Sequence, residues 1–131
     1  MAKKGIPPAQ QNHLASNGVY VLMEEITMES CRNCLTWIMN HNLSDNPLPK
    51  LTIIINSPGG DVHAAFALID TMKASTIPIK TVGLGLIASC GFLIFIAGKK
   101  GSRILTPNTA ILSHQYSWGS AGKEHELYAR V

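Results

Sequence analysis

The chain has 131 residues, 11 Lys and Arg against 8 Asp and Glu, and a net charge of +3 with histidines neutral. That length is one domain, long enough to bury about two thirds of its unfolded surface, and 15% charged with 46% hydrophobic residues excludes a disordered or acidic solvating segment. The positive charge is spread rather than clustered, so nucleic acid is not implied; three cysteines exclude a disulfide scaffold and fit a reducing compartment.

Residues 1–17 are polar and proline-containing and are expected to be mobile. No apolar run follows Lys3 and Lys4, so no export signal is expected. Val19–Leu22 reads as a short strand. Thr27 can cap a helix whose apolar residues Met28, Cys31, Leu35, Ile38 and Met39 recur at helical spacing to about His41. Residues 42–49 are a loop. Leu51–Ile55 is a β-branched run of the kind buried on both faces of a sheet. Ser57-Pro-Gly-Gly60 must turn, and Asp61 can cap a helix carrying Val62, Ala65, Phe66, Ile69 and Met72. Ile79–Val82 is a strand, followed by a glycine-rich turn and a helix from about Ser89 to Ala97. Arg103–Leu105 and Ala110–Ser113 are short strands about Pro107 and Asn108. A loop over 116–122 and a helix begun at Lys123 complete the order. Alternating strands and helices predict an α/β fold with parallel strands and right-handed crossovers. The uncharged run Thr81–Gly98 reaches the lower bound of length for a membrane span. Gly83, Gly85, Gly91 and Gly98 interrupt it, and it divides into strand, turn and helix, so no membrane association is expected.

Cys31-Arg-Asn-Cys34 is a CxxC that falls inside a helical pattern, whereas a redox pair belongs at a helix N-terminus after a strand. Zinc would need two further ligands at a recognisable spacing, and none is present. Core packing is the better reading, and no metal is expected. Gly83-Leu-Gly85-Leu-Ile-Ala88 matches a dinucleotide fingerprint, but no Asp or Glu lies between Thr71 and Lys123 to hold a ribose. No cofactor is expected.

Ser89 stands at a strand-to-helix turn crowded by small residues. A serine there is ordinarily an N-cap, but the same position can present a nucleophile beside free helix N–H groups that favour an oxyanion. His114 follows a strand that can return beside Ser89 as a general base. The adjacent Gly59 and Gly60 can turn backbone N–H groups into a cleft at the carboxyl end of a strand, where open α/β sheets bind ligands.

Ile55-Asn-Ser-Pro-Gly-Gly60, Asp70-Thr-Met72, Ala88-Ser-Cys-Gly91, Ala97-Gly-Lys-Lys-Gly101, Pro107-Asn108 and Ser113-His-Gln115 occur in the order and spacing of the Clp protease proteolytic subunits. From about Gly18 to Val131 the chain resembles that family. The resemblance implies a ClpP/crotonase-like fold of stacked β-α-β units. Residues 18–131 would form the head domain, without the complete handle that interlocks two heptameric rings. It implies a serine endopeptidase that degrades unfolded polypeptides fed by a hexameric AAA+ ATPase, in the cytoplasm or, if organellar, the plastid stroma. Ser89 is then the nucleophile and His114 the base, and the backbone N–H groups of Gly60 and Cys90 form the oxyanion hole. The family usually has Met where Cys90 stands, and often has tyrosines where Thr52 and Ile54 stand in its ATPase-docking pocket. Its catalytic Asp lies past a long helix and strand after the histidine. The sequence stops at Val131, inside what would be that helix, so near-inactivity and loss of two-ring stacking are expected of these 131 residues. A non-catalytic assembly subunit is the alternative. A crotonase-type acyl-CoA enzyme is a third reading, but it would need no Ser89–His114 pair and would be about twice as long.

Overall fold

A computed structural model describes residues 13–113. The expectations for 1–12, for His114, for the loop at 116–122 and for the helix from Lys123 lie outside the described residues. The element order is β1 (Val19–Met23), α1 (Met28–Asn42), β2 (Leu51–Ser57), α2 (Val62–Ala74), β3 (Ile79–Ala88), α3 (Cys90–Ile96), β4 (Arg103–Leu105) and β5 (Ala110–Leu112). All strand pairings are parallel, in the order β1-β2-β3-β4, with β5 also paired to β3.

Both expected caps are present. The Thr27 side chain accepts from the Ser30 N–H at 2.9 Å, and the Thr27 N–H donates to Ser30 Oγ at 2.9 Å, closing a capping box on α1. Asp61 Oδ1 accepts from the N–H groups of His63 and Ala64 at the start of α2. The far ends of these helices are tied by Asn42, whose Nδ2 donates to Ser75 Oγ at 2.9 Å and whose Oδ1 accepts from the Thr76 N–H at 2.7 Å.

One sheet face carries Leu22, Ile53, Ile55, Ile79 and Thr81, all buried against the helices. Thr81 pins α3 to this face by donating from Oγ1 to the Phe95 carbonyl at 2.8 Å. The opposite face carries Val19, Val21, Thr52, Ile54, Val82 and Leu84, all only half-buried. The β-branched run of β2 is therefore buried on one face, not two. Its side chains alternate strictly, and no described helix covers the second face.

The glycine-rich segment after Val82 is also not a turn. β3 continues for ten residues through Gly83 and Gly85. Ile55 pairs with Gly83 and Ser57 with Ile87, so β3 bulges by two residues opposite Asn56. Gly85, with φ 69°, makes the bulge possible: a Cβ there would lie 2.8 Å from Asn56 Nδ2. The bulge re-aims the end of β3 and hands its outer edge from β4, paired over Thr81–Gly83, to β5, paired over Leu86–Ala88. The uncharged run after Lys80 is thus part strand and part seven-residue helix. No described helix is long and apolar enough to cross a membrane.

Candidate active site

Ser89 is the hinge between β3 and α3. At φ 54° and ψ −126° it is the one non-glycine residue of positive φ among the described residues. Such a backbone costs about 1–3 kcal/mol and persists only where its surroundings impose it. Ser89 occupies the N-cap position, yet its side chain makes no capping hydrogen bond. The ordinary reason for a serine at a helix start is therefore missing, and Ser89 stands half-buried at the carboxyl end of β3.

Two neighbours impose this conformation. The Ser89 N–H donates to the carbonyl of Leu112, the last residue of β5, at 2.8 Å. From the β2 side, Gly59 packs so closely that a Cβ on it would lie 2.8 Å from Ser89 Cβ and 3.0 Å from the Ala88 carbonyl oxygen. With φ 99°, Gly59 also needs the backbone freedom of glycine.

Gly60 is set by the connection between β1 and α1. The Ile26 N–H donates to the Gly59 carbonyl at 2.9 Å, and the Asp61 N–H donates to the Ile26 carbonyl at 2.7 Å, in a one-residue parallel bridge. In such a bridge the N–H of the middle residue points to the opposite edge, here away from Ile26. The Cys90 thiol reports what lies there. Burial raises its pKa, and the backbone N–H groups of Gly60, Cys90 and Gly91 act in the opposite sense by favouring its charged form. These N–H groups therefore lie about the thiol of Cys90, the residue that follows Ser89 directly in the chain. Gly91 brings α3 close to the end of β2, since a Cβ there would meet Ser57 Cβ at 3.3 Å. Buried Ser57 fixes the intervening turn by accepting the Gly59 N–H at 3.1 Å.

Ser89, its chain neighbour Cys90, and Gly59 and Gly60 thus lie at the same end of the sheet, where Gly59 packs against Ser89. His114 lies outside the described residues; the described chain ends at Ser113, one residue after the Leu112 carbonyl that binds Ser89. Thr106 and Thr109, which anchor the β4–β5 turn, were not singled out from the sequence. Their signal was two hydroxyl residues flanking Pro107-Asn108 between two short strands.

The CxxC behaves as core. Cys31 and Cys34 are both buried on α1. Burial pushes the Cys31 thiol up to about 11 and Cys34 further still, the reverse of what a redox or metal-binding thiol requires. Among the described residues no group of three or more His, Cys, Asp or Glu side chains could hold a metal ion. An open depression of about 320 Å³ between α1 and α2, lined by Asn42, Asp70 and Ser75 among others, lies away from this centre. Its Asn42 and Ser75 are committed to the tie between the helices.

A model of the Clp protease family matches residues 9–131. The chain belongs to the Clp protease family. It is 34% identical over 127 residues to ATP-dependent Clp protease proteolytic subunit 1 of Leifsonia xyli, covering 97% of this chain and 64% of that protein. It is 39% identical over 84 residues to the ATP-dependent Clp protease proteolytic subunit of Deinococcus radiodurans, covering 64% of this chain and 41% of that protein. The chain therefore spans about two fifths to two thirds of these relatives. Among solved structures, it superposes on the ClpP protease catalytic domain of Plasmodium falciparum with a TM-score of 0.77 at 28% identity, covering 88% of this chain and 62% of that one. A ClpP mutant from Listeria monocytogenes gives a TM-score of 0.73 at 28% identity, with 92% and 67% covered. The parallel sheet with helices against one face is the fold of these ClpP structures.

Proposed function

We propose that this Clp protease family chain is a serine endopeptidase subunit in which Ser89 is the nucleophile and His114 the general base. The observation that carries the reading is the backbone of Ser89, strained, uncapped and wedged between Gly59 and the end of β5. Strain of this kind is kept at sites that need a side chain held in one place. Ser89 Oγ attacks the scissile carbonyl carbon as His114 takes its proton. The carbonyl oxygen, now negative, sits against the N–H groups of Gly60 and Cys90, each worth roughly 10²–10³ in rate. The histidinium then returns the proton to the leaving amine, and water releases the acyl group by the same steps in reverse order.

A third group must orient the histidine and stabilise its charged form, and losing that group costs about 10⁴ in turnover. After Asp70 the sequence offers only Glu124 and Glu126. By resemblance the acid is an aspartate further along the family's chain, so these 131 residues alone acylate slowly. The substrates are unfolded polypeptides delivered by a hexameric AAA+ ATPase, and the subunit assembles in rings with its own copies. The names of the relatives, ATP-dependent proteolytic subunits, support this partnership. Three free, buried cysteines suit a reducing cytoplasm or stroma.

The test is hydrolysis of a small fluorogenic peptide by this chain and by a longer one that includes the family's aspartate. The longer chain should be faster by several powers of ten, and Ser89→Ala and His114→Gln should each remove its activity. Full activity in Ser89→Ala would overturn the assignment; equal rates for the two lengths would show that the acid is not where the resemblance puts it.

A further inference from the structure

The bulge in β3 leaves the carbonyl of Gly83 at the point where the strand changes partners, and this carbonyl is unusually well bound. It accepts from the Thr106 N–H at 3.2 Å, with Thr109 Oγ1 at 2.8 Å and Thr106 Oγ1 at 3.0 Å. The two hydroxyls also lie 2.6 Å from each other. Two hydroxyl protons serve these three contacts. In the arrangement that uses the shortest ones, Thr106 donates to Thr109 and Thr109 donates to Gly83, a chain in which each bond strengthens the next. The Thr106 N–H reaches the same acceptor, and the Thr109 N–H closes the turn onto the Thr106 carbonyl at 3.1 Å.

This cluster lies between two pairings that differ in what they do. Before it, β4 pairs with Thr81–Gly83 in a short, exposed ladder. After it, β5 pairs with Leu86–Ala88 and ends with the Leu112 carbonyl on the Ser89 N–H. β5 is only three residues long and exposed along its length. Its own side chains do little to fix its register, and a one-residue slip would carry the Leu112 carbonyl off Ser89. The nearest anchor upstream is the turn held on Gly83. We infer that Thr106 and Thr109 are positioning residues for the nucleophile. By clamping the β4–β5 turn to the bulge carbonyl they set the register of β5, and through the Leu112 carbonyl they hold Ser89 in its strained conformation.

This inference rests on the reading of Ser89 as nucleophile, but it has a readout that does not. Val is close to Thr in shape and removes only the hydroxyl, so Thr109→Val and the double variant Thr106→Val/Thr109→Val test the clamp. The first measurement is amide hydrogen exchange of Ser89 in the 131-residue chain, with the Thr52 N–H as reference. That group bonds to the Gly18 carbonyl at the far side of the sheet. The second is the rate of fluorophosphonate labelling at Ser89. Loss of hydroxyl bonds of this kind should speed Ser89 exchange by about tenfold or more in the double variant while Thr52 is unchanged. Labelling should slow with it, and Thr109→Ser, which keeps the hydroxyl, should restore both. Merely structural threonines would speed Ser89 and Thr52 together, or leave Ser89 exchange as it was, and either result would overturn the inference. If Ser89 exchange responds as expected but the unsubstituted chain is labelled at another residue, the clamp stands and the nucleophile assignment falls.

Discussion

Two segments of this chain carry residues that look chemically active, and the fold treats them in opposite ways. Cys31 and Cys34 sit one turn apart on α1, in relaxed helical backbone, and are buried with their thiols driven away from ionisation. Ser89 sits at a junction with φ 54°, half-buried, with no capping bond and with its backbone N–H held by another strand. A pair of nucleophile-type residues at a suggestive spacing became core. A single serine became a candidate site, because backbone strain, partial exposure and the close approach of Gly59 meet there. What separates the two segments is local geometry, which residue type does not report.

The largest effect that would break the comparison is at Ser89 itself. Removing the nucleophile of a working serine protease costs on the order of 10⁶ in kcat, so in the longer chain that includes the family's aspartate Ser89→Ala should take peptide cleavage to background with the fold intact by circular dichroism. Ser89→Gly should be equally inactive yet more stable by about 1 kcal/mol in urea unfolding, because glycine accepts this φ without strain. A destabilised Ser89→Gly would show that the strain argument is wrong even if activity were lost. Next in size is Gly59→Ala. The added carbon would press on Ser89 Cβ at 2.8 Å, and displacing a reacting group by about 1 Å costs roughly 10² in rate. Fluorophosphonate labelling should fall by that order, with about 1–3 kcal/mol lost in stability from the φ of 99°. Labelling at the unsubstituted rate would remove Gly59 from the account.

The cysteines should answer in stability alone. Cys34→Ser places a hydroxyl in a fully buried position, which costs about 1–3 kcal/mol when no partner is supplied. The labelling rate at Ser89 should not change once unfolding is allowed for. The smallest effect is in pH dependence. Burial lifts the Cys31 pKa from its ordinary value near 9 to about 11, so the folded state keeps this proton when the unfolded state has begun to lose it. Its contribution to stability is complete below pH 9 and is lost as pH rises from about 9 through about 11. Cys31→Ala should flatten that part of the stability curve; an unchanged slope would show that Cys31 does not titrate in this window.

The sequence made most elements readable, for local reasons. Thr27 and Asp61 are caps that act within three residues, and the β-branched run at 51–55 is a strand in any context that buries one of its faces. The end of β3 was not readable, because Gly83 and Gly85 signal a turn locally while pairing with Ser57 on one side and Ala110–Leu112 on the other keeps the segment extended. The second face of β2 was misjudged for a similar reason: alternation in burial depends on what lies over the sheet, and no described element does. At the candidate site, the motifs pointed to Ser89, Gly60 and Cys90 as the residues proposed to act. The hold of Leu112 and Gly59 on Ser89, and the bond of Thr106 and Thr109 to Gly83, arise only when distant segments meet.

The central claim, that Ser89 is the nucleophile, is tested most directly by mapping the site of fluorophosphonate attack. The intact chain is exposed to the probe, digested, and its adduct located by mass spectrometry beside Ser89→Ala treated in the same way. The account predicts one phosphonylated peptide, modified at Ser89, with no adduct in the variant. Modification of another residue with Ser89 untouched, or an equal adduct in Ser89→Ala, would contradict it.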